Sequence, residues 1–542
     1  MSQAGQGLAA FVLGEAPHRK TSLVLLGVCG AVLLGLALGE AWAGEDAFIT
    51  FRTVDNFVNG YGLRWNVDER VQSYTHPLWM LVNVPLYWVT RDVATTTTVM
   101  GLLCTGAAFG VLGRRFLDRP LALMLLFASL AASTSFVLYS TSGFENSLSH
   151  LCFAAFAVLF LRAQDAASAR DVSWLGLGLA ASLAAVNRAD MALVYTPPLL
   201  LLIARHGRGL PWRRFVAGFT PLVLWLAFST FYYGFPYPNT ALSKMNEEIA
   251  AGVLFRQGVY YGLDLWVRDP VGFGVLLIGI AITAERLAAV RAEGLASRAA
   301  GLASLGLGAV LYGLYVLSIG GCFLAGRHWT LPLLVFAIVS AERLAALRPE
   351  AVEPALWRVG RWILVLAVVL VASRPLVVDA VRGWEKSLRI NERSRAHVFL
   401  DAGLAWRKTG YARQWQATGE DLPVDRATVR GAIGITGYYA PREARIVDFF
   451  GLADPLVARL PTAPRFRMVG HFRRAVPPGY LEVRSGGSLD ALDPALRDYY
   501  APLRSIVSDP LLDGERLRHL VAFHLGRYDD RLEDYLTRAP RP

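Results

Sequence analysis

Residues 43–76 separate two apolar runs. They carry Gly44-Glu45-Asp46-Ala47-Phe48-Ile49-Thr50-Phe51-Arg52, then Asn59-Gly60-Tyr61-Gly62-Leu63-Arg64-Trp65-Asn66, and close with Glu69-Arg70-Val71-Gln72-Ser73-Tyr74-Thr75-His76-Pro77. The run before them, Leu23 to Leu38, contains no charge and follows His18, Arg19 and Lys20. A bilayer takes about 20 apolar residues to cross, so a span over 21–42 delivers Glu45 and Asp46 to the membrane surface. Partial desolvation there raises a carboxylate's pKa toward neutrality, and a lipid-borne substrate arrives at the same depth; both suit a general base. The plainer expectation is a pair of acids capping an interfacial helix. Arg52, about 1.7 helical turns beyond Asp46, projects away from it.

The whole chain agrees with a membrane setting. Its 542 residues are 54% hydrophobic and 18% charged, with mean hydropathy +0.38. A soluble chain carries about a quarter charged residues, so a soluble enzyme, a disordered chain and a fibrous one are all excluded. The net charge of +11 does not point to nucleic acid, because most arginines of the apolar part fall in short loops. Ala41-Trp42-Ala43 only loosely matches a signal-cleavage site, and the long apolar run before it predicts a retained anchor. Cys29, Cys104, Cys152 and Cys322 lie in or beside apolar runs without a CxxC pair, which predicts free, buried thiols.

Spans are expected over 21–42, 95–113, 120–139, 145–162, 171–187, 190–205, 213–233, 267–284, 300–319, 328–343 and 361–378. Pro77 and Pro85 and its shortness make 77–90 an interfacial or re-entrant helix. With the N-terminus inside, the inner loops hold Arg114, Arg115, Arg119, Arg162, Arg170, Arg205, Arg208, Arg213, Arg214, Arg286, Arg291, Arg298, Arg343, Arg348, Arg358 and Arg361. The short outer loops hold few: Arg188, Lys244, Arg256, Arg268 and Arg327, the asymmetry expected of cytoplasmic and outer faces. About eleven spans place residues 379–542 outside. Strand-like pieces at 428–433 and 444–448, and a helix start at Asp454-Pro455, predict a small α/β domain there. The fold expected is thus an α-helical polytopic membrane domain, 1–378, with its first outer loop at 43–94, followed by an extracytoplasmic α/β domain, 379–542.

The other outer loops are polar too: Ser140 to Asn146, Asn187 to Asp190, Tyr232 to Lys244 and Gly320 to His328. Ionisable groups at membrane depth are costly and usually mark a site. Arg188, Lys244, Arg327 and His328 suit a phosphate, while Glu145, Asp190 and Asn239 suit sugar hydroxyls. Each alone is a snorkelling or capping residue as readily; together on one face they favour an anionic, hydroxyl-rich, lipid-linked substrate.

The first loop resembles the "(D/E)D-A-F-I-x-x-R … G-x-G-L-x-x-N … E-R-V-x-x-Y-T-x-P-L-W" region of polyprenyl-phosphate-dependent glycosyltransferases of the GT-C fold, and most nearly the terminal β-1,2-arabinofuranosyltransferase family. Ser142-Gly143-Phe144-Glu145 is similar to that family's S-G-L-E, Arg188-Ala189-Asp190 to R-P-D, Pro238 to Lys244 to P-N-T-x-x-A-K, and Gly320 to Arg327 to G-G-D-F-M-H-G-R. Gly434 to Tyr439 and Asp448 to Pro455 resemble its G-x-x-G-Y-Y and D-x-x-G-L-x-D-P. The chain departs from the pattern at Glu45, where Asp is commoner, and at Cys322 and Ala325, where Asp and His are common.

The resemblance implies inverting transfer of a sugar, arabinofuranose in that family, from a polyprenyl-phosphate donor to a glycan or other cell-envelope acceptor, in a bacterial inner membrane with the C-terminal domain periplasmic. It implies Asp46 as base with Glu45 beside it, and Arg52, His76, Glu145, Arg188, Asp190, Asn239, Lys244, Arg327 and His328 as donor or substrate contacts. No Asp/Glu/His cluster has ligand spacing, so no metal or other cofactor is indicated, although a divalent cation is compatible. A lipid-linked-glycan transporter would show mid-span charges and repeat symmetry, which are absent from the sequence. A non-catalytic scaffold would fit the changes at Cys322 and Ala325. Convergence of Glu45/Asp46 with Lys244 or Arg327 separates these readings.

Overall fold

The computed structural model describes residues 19–538 apart from 167, 245–248, 348–399, 403–405, 409 and 463–468. The span expected over 361–378, the boundary between 378 and 379, and Arg348, Arg358 and Arg361 lie outside the described residues. Helices dominate. Arg19–Gly39, Val93–Phe116, Asn146–Gln164, Pro270–Glu293 and Arg298–Ser318 are each long and apolar enough to cross a membrane, and Pro120–Ala131 and Trp174–Asn187 are shorter apolar helices. The chain is a membrane protein.

Among the described residues, five such helices stand in place of the roughly eleven expected spans. The other expected segments are helical but shorter or broken. The segment 120–139 divides into Pro120–Ala131 and Thr134–Tyr139. At the break the Ser133 hydroxyl caps the second helix by accepting from Phe136 N and donates to Asp269 Oδ2 (2.6 Å), so a local side chain takes over backbone bonding. The segment 213–233 divides into Trp212–Ala217 and Thr220–Tyr233, with Pro221 near the restart. An unexpected helix, Ala251–Arg268, buries Gln257, Gly258, Tyr261, Asp264 and Leu265 on one face. Its amphipathic spacing kept its mean hydropathy below that of a span.

The loops assigned to opposite sides by their charge fall at opposite ends of the bundle. At one end Gly44 N donates to Ser142 O (2.9 Å), Asn187 Nδ2 to Glu145 O (3.2 Å) and Tyr139 OH to Ala325 O (2.9 Å). At the other, Arg115 pairs with Glu342, and Arg298 with Asp165 at 2.7 Å.

The described residues from 400 onward pack on the first end. Thr428–Arg430 and Ile446–Asp448 pair in parallel, Thr428 opposite Ile446, with helix Ile433–Tyr439 between them. Leu400–Ala402 pairs antiparallel with Trp406–Lys408. The expected strand pieces are present but three residues long, and helices make up most of the rest, so the sheet content is smaller than an α/β domain implies. The helix expected after Asp454-Pro455 is one 3-10 turn, Val457–Arg459, and Asp454 Oδ1 accepts from Leu456 and Val457 N–H. Leu456, Val457, Tyr480, Leu496, Tyr500 and Leu503 form a separate core here. All four cysteines are buried and unbonded.

Candidate active site

Helix Glu45–Val58 opens directly on the carboxylate pair, after Gly44 in extended conformation. Acids in a first turn are favoured by the helix dipole, and here they meet different surroundings. Glu45 Oε1 accepts from Gly434 N (2.5 Å) and Ile435 N (3.3 Å) across the chain. Burial and the neighbouring Asp46 nevertheless hold the Glu45 pKa well above the usual carboxylate range. Glu45 therefore ties the loop to the C-terminal segment. The Asp46 side chain is 24% exposed, and its Oδ1 lies 3.9 Å from His471 Nε2. Both carboxylates of the pair are partly exposed, and Glu45 is the one bonded to the C-terminal segment.

A third carboxylate, Glu145, is 1% exposed and gathers three partners. Arg327 Nη2 donates to both of its oxygens (3.2 and 3.0 Å), Arg188 Nη1 donates to Oε1 (2.6 Å), and His76 Nδ1 lies 3.3 Å from Oε2. Arg188 also grips Asp190 through two nitrogens. Burial drives the His76 pKa down to about 4, so its ring is neutral near pH 7. With Nδ1–H directed at Glu145, Nε2 accepts from the Thr50 hydroxyl (2.8 Å), which links helix Glu45–Val58 to the arginine cluster. The Arg327 guanidinium lies over the Phe144 ring at 3.9 Å, and its buried Nε has no hydrogen-bond partner among the described residues.

The Gly320–His328 loop supplies Arg327 through a tight path. Gly321 and Gly326 have φ of 74° and 76°, a region that L-residues avoid. A side chain at Gly321 would run into the Tyr261 ring, and one at Gly326 into Ser135. Cys322 is buried, its Sγ 3.4 Å from Leu324 N. His328 N donates to Tyr261 OH (3.1 Å), and its Nδ1 is 3.4 Å from Tyr312 OH. Lys244 ends helix Asn239–Lys244 and lies within electrostatic reach of Asp46, Arg327 and Arg188. Although water reaches its side chain, desolvation by surrounding protein lowers its pKa, and Asp46 opposes the shift.

The structure thus brings together Asp46, His76, Glu145, Arg188, Asp190, Lys244, Arg327 and His328, with Glu45 at the edge. Two expected contacts are corrected. Arg52 is 3% exposed and spends all three nitrogens on backbone carbonyls: Nε on Trp65 O (2.8 Å), Nη1 on Gly437 O and Nη2 on Ala444 O (3.5 Å). Asn239 Nδ2 faces Gly451 O (2.8 Å), Leu452 O (3.3 Å) and Asp454 O (3.0 Å). Both hold the C-terminal segment to the bundle through these carbonyl bonds. Arg52→Ala is expected to lower stability by on the order of 3 kcal/mol, since hydrogen bonds from a buried charge are lost. Thermal unfolding in detergent checks this; Arg52→Lys restores only part, because an ammonium cannot span three carbonyls. An unchanged unfolding temperature contradicts the assignment.

His471 is the site residue that the sequence did not reveal. It packs edge-on against Phe323 (centroids 4.5 Å apart) and Phe450 (5.0 Å) beside Asp46. Burial lowers its pKa, with Asp46 opposing, so it stands as a neutral imidazole near pH 7. A lone histidine far from any motif gives no spacing signal. Among the described residues, no group of three or more His, Cys, Asp or Glu is placed to hold a metal ion.

Two comparisons bear on this arrangement. The chain is 28% identical to a terminal beta-(1->2)-arabinofuranosyltransferase of Corynebacterium glutamicum, across 79% of this chain and 72% of that protein. It is 27% identical to a protein of the same name from Mycobacterium tuberculosis, across 58% of this chain and 54% of that one. No family model matches the chain.

Proposed function

Starting from a chain related to the terminal beta-(1->2)-arabinofuranosyltransferases, we propose a membrane glycosyltransferase that moves arabinofuranose from a polyprenyl-phosphate donor to a glycan of the cell envelope. One observation carries the chemistry: Asp46 is a partly exposed carboxylate beside neutral His471 and in the field of Lys244 and Arg327, while Glu45 is engaged by Gly434 and Ile435 N–H. Asp46 takes the proton of an acceptor hydroxyl. The hydroxyl oxygen bonds to the anomeric carbon from the face opposite the phosphate, the carbon–oxygen bond to phosphate breaks, and polyprenyl phosphate leaves with inversion. The leaving group is already an anion, so fixed cations and alignment supply most of the acceleration. Lys244 and Arg327 are the groups that meet the phosphate; Arg188, bonded to Glu145 and Asp190, holds the site together. His471 packs against the base and shields it from bulk water.

The resting site already balances its charge: Arg188, Lys244 and Arg327 face Asp46, Glu145 and Asp190. A phosphate therefore gains most from Lys244, which among the described residues has no carboxylate within ion-pair distance. Each charge-assisted contact is worth about 1.5–3 kcal/mol, so Lys244→Ala should weaken apparent donor affinity roughly ten- to hundred-fold. Donor titration at saturating acceptor tests this; unchanged donor affinity removes Lys244 from the phosphate site.

The same proposal sets the orientation. The end of the bundle holding the site faces the periplasm, and the arginine-rich end faces the cytoplasm of a bacterial inner membrane. Alkaline phosphatase fused at the C-terminal end should be active, and fused after Arg115 inactive. The opposite pattern inverts the topology.

A further inference from the structure

Helix Gly514–His524 exposes an apolar stripe. Leu517, Val521 and Leu525 recur every four residues and so share one face; they are 36%, 56% and 63% exposed, and Leu512 just before the helix is 80% exposed. The opposite face is fully used. Arg516 is buried, with Nε on Ile506 O (2.9 Å), Nη1 on Leu511 O (2.9 Å) and Nη2 on Phe231 O (2.6 Å). His524 Nε2 donates to Gly234 O (2.9 Å), and Phe523 packs into the C-terminal core.

Two of these bonds fix the helix's height. Phe231 and Gly234 mark the end of helix Thr220–Tyr233, whose Val223, Leu224, Leu226, Phe228 and Phe231 are exposed. Exposed apolar side chains along a helix of a membrane protein face lipid. The Arg516 and His524 bonds thus tie helix Gly514–His524 to the end of that lipid-facing helix. Arg518 lies at the solvent edge of the stripe, paired with Glu515, and Arg527 follows it, the distribution of a helix lying in the plane of the headgroups.

We infer that helix Gly514–His524 is an interfacial membrane anchor, with Leu512, Leu517, Val521 and Leu525 inserted at the acyl–headgroup boundary of the same bilayer that the apolar helices cross. It holds the C-terminal segment down on the end of the bundle that carries the candidate site.

The test uses the full chain in nanodiscs of phosphatidylcholine and phosphatidylglycerol. Nitroxide labels are placed at Val521→Cys, Leu525→Cys and, as a control on the same segment, Leu481→Cys; the four native cysteines are buried. Collision with oxygen, which concentrates in lipid, is compared with collision with a water-soluble nickel chelate. At 521 and 525 the oxygen effect should exceed the nickel effect several-fold, with the order reversed at 481. Nickel access at 521 and 525 equal to that at 481 overturns the anchor. So does dipolar broadening between labels on neighbouring chains, which would make a second copy, not lipid, the occupant.

Discussion

Asp46→Asn should lower turnover by about 10²–10⁴-fold, the usual worth of a general base, while leaving the unfolding temperature where it was. Asparagine keeps the size of the side chain and removes only its capacity to take a proton. The Asp46 side chain is partly exposed, beside Glu45 and 3.9 Å from the His471 ring, so an amide of the same size fits in its place. Glu45→Gln is expected to behave differently. An amide oxygen can still accept from Gly434 and Ile435 N–H, so the loop stays docked and turnover falls far less. The two variants together separate the base from its structural neighbour. Equal loss in both, with both proteins folded, assigns the chemistry to the pair as a unit.

Glu145→Gln should have the largest effect on folding. Glu145 is the common partner of Arg327, Arg188 and His76 in a place with almost no solvent. Arg188 keeps Asp190, but Arg327 loses its only ion-paired carboxylate among the described residues. Removing one member of a buried pair costs about 3–5 kcal/mol, because the remaining charge is left uncompensated. The variant is expected to unfold at a markedly lower temperature. Glu145→Gln combined with Arg327→Met deletes the orphaned charge as well, and should recover part of the stability without recovering transfer. Calorimetry or tryptophan fluorescence on the three proteins reads the difference. A single variant as stable as the parent would mean that the cluster is solvated and its charges independent.

These expectations show which parts of the molecule a sequence exposes. Arginine placement sorted the loops into two sets, and the sets do lie at opposite ends, because loop charge and span alternation are both local properties. The carboxylate pair at the end of the first apolar helix was legible for the same reason. What a linear pattern does not carry is the partner several hundred residues away. Arg52, Asn239, Glu69 and Arg70 belong to the most recognisable motifs, yet they serve as clamps: Arg484 Nη2 donates to Glu69 Oε1 at 2.7 Å, and Arg70 N donates to Val507 O at 2.8 Å. Motif membership marked them as important without saying whether for contact with a ligand or for cohesion. His471 was invisible because nothing near it in the chain repeats or pairs. Helix Ala251–Arg268 escaped because half of its surface is polar, and the break at Ser133 because a capping serine inside an apolar run has the same hydropathy as one inside a continuous helix.

The central claim is that a carboxylate at Asp46 activates an acceptor for attack on a polyprenyl-phosphate sugar. It is tested most directly by purified full-length protein in nanodiscs, given polyprenyl-phosphoryl arabinofuranose and an arabinan oligosaccharide, with release of polyprenyl phosphate and growth of the oligosaccharide followed together. The account predicts stoichiometric release and transfer by the parent protein, with the new linkage inverted relative to the donor, and both lost in Asp46→Asn. Transfer at the parent rate by folded Asp46→Asn would contradict it.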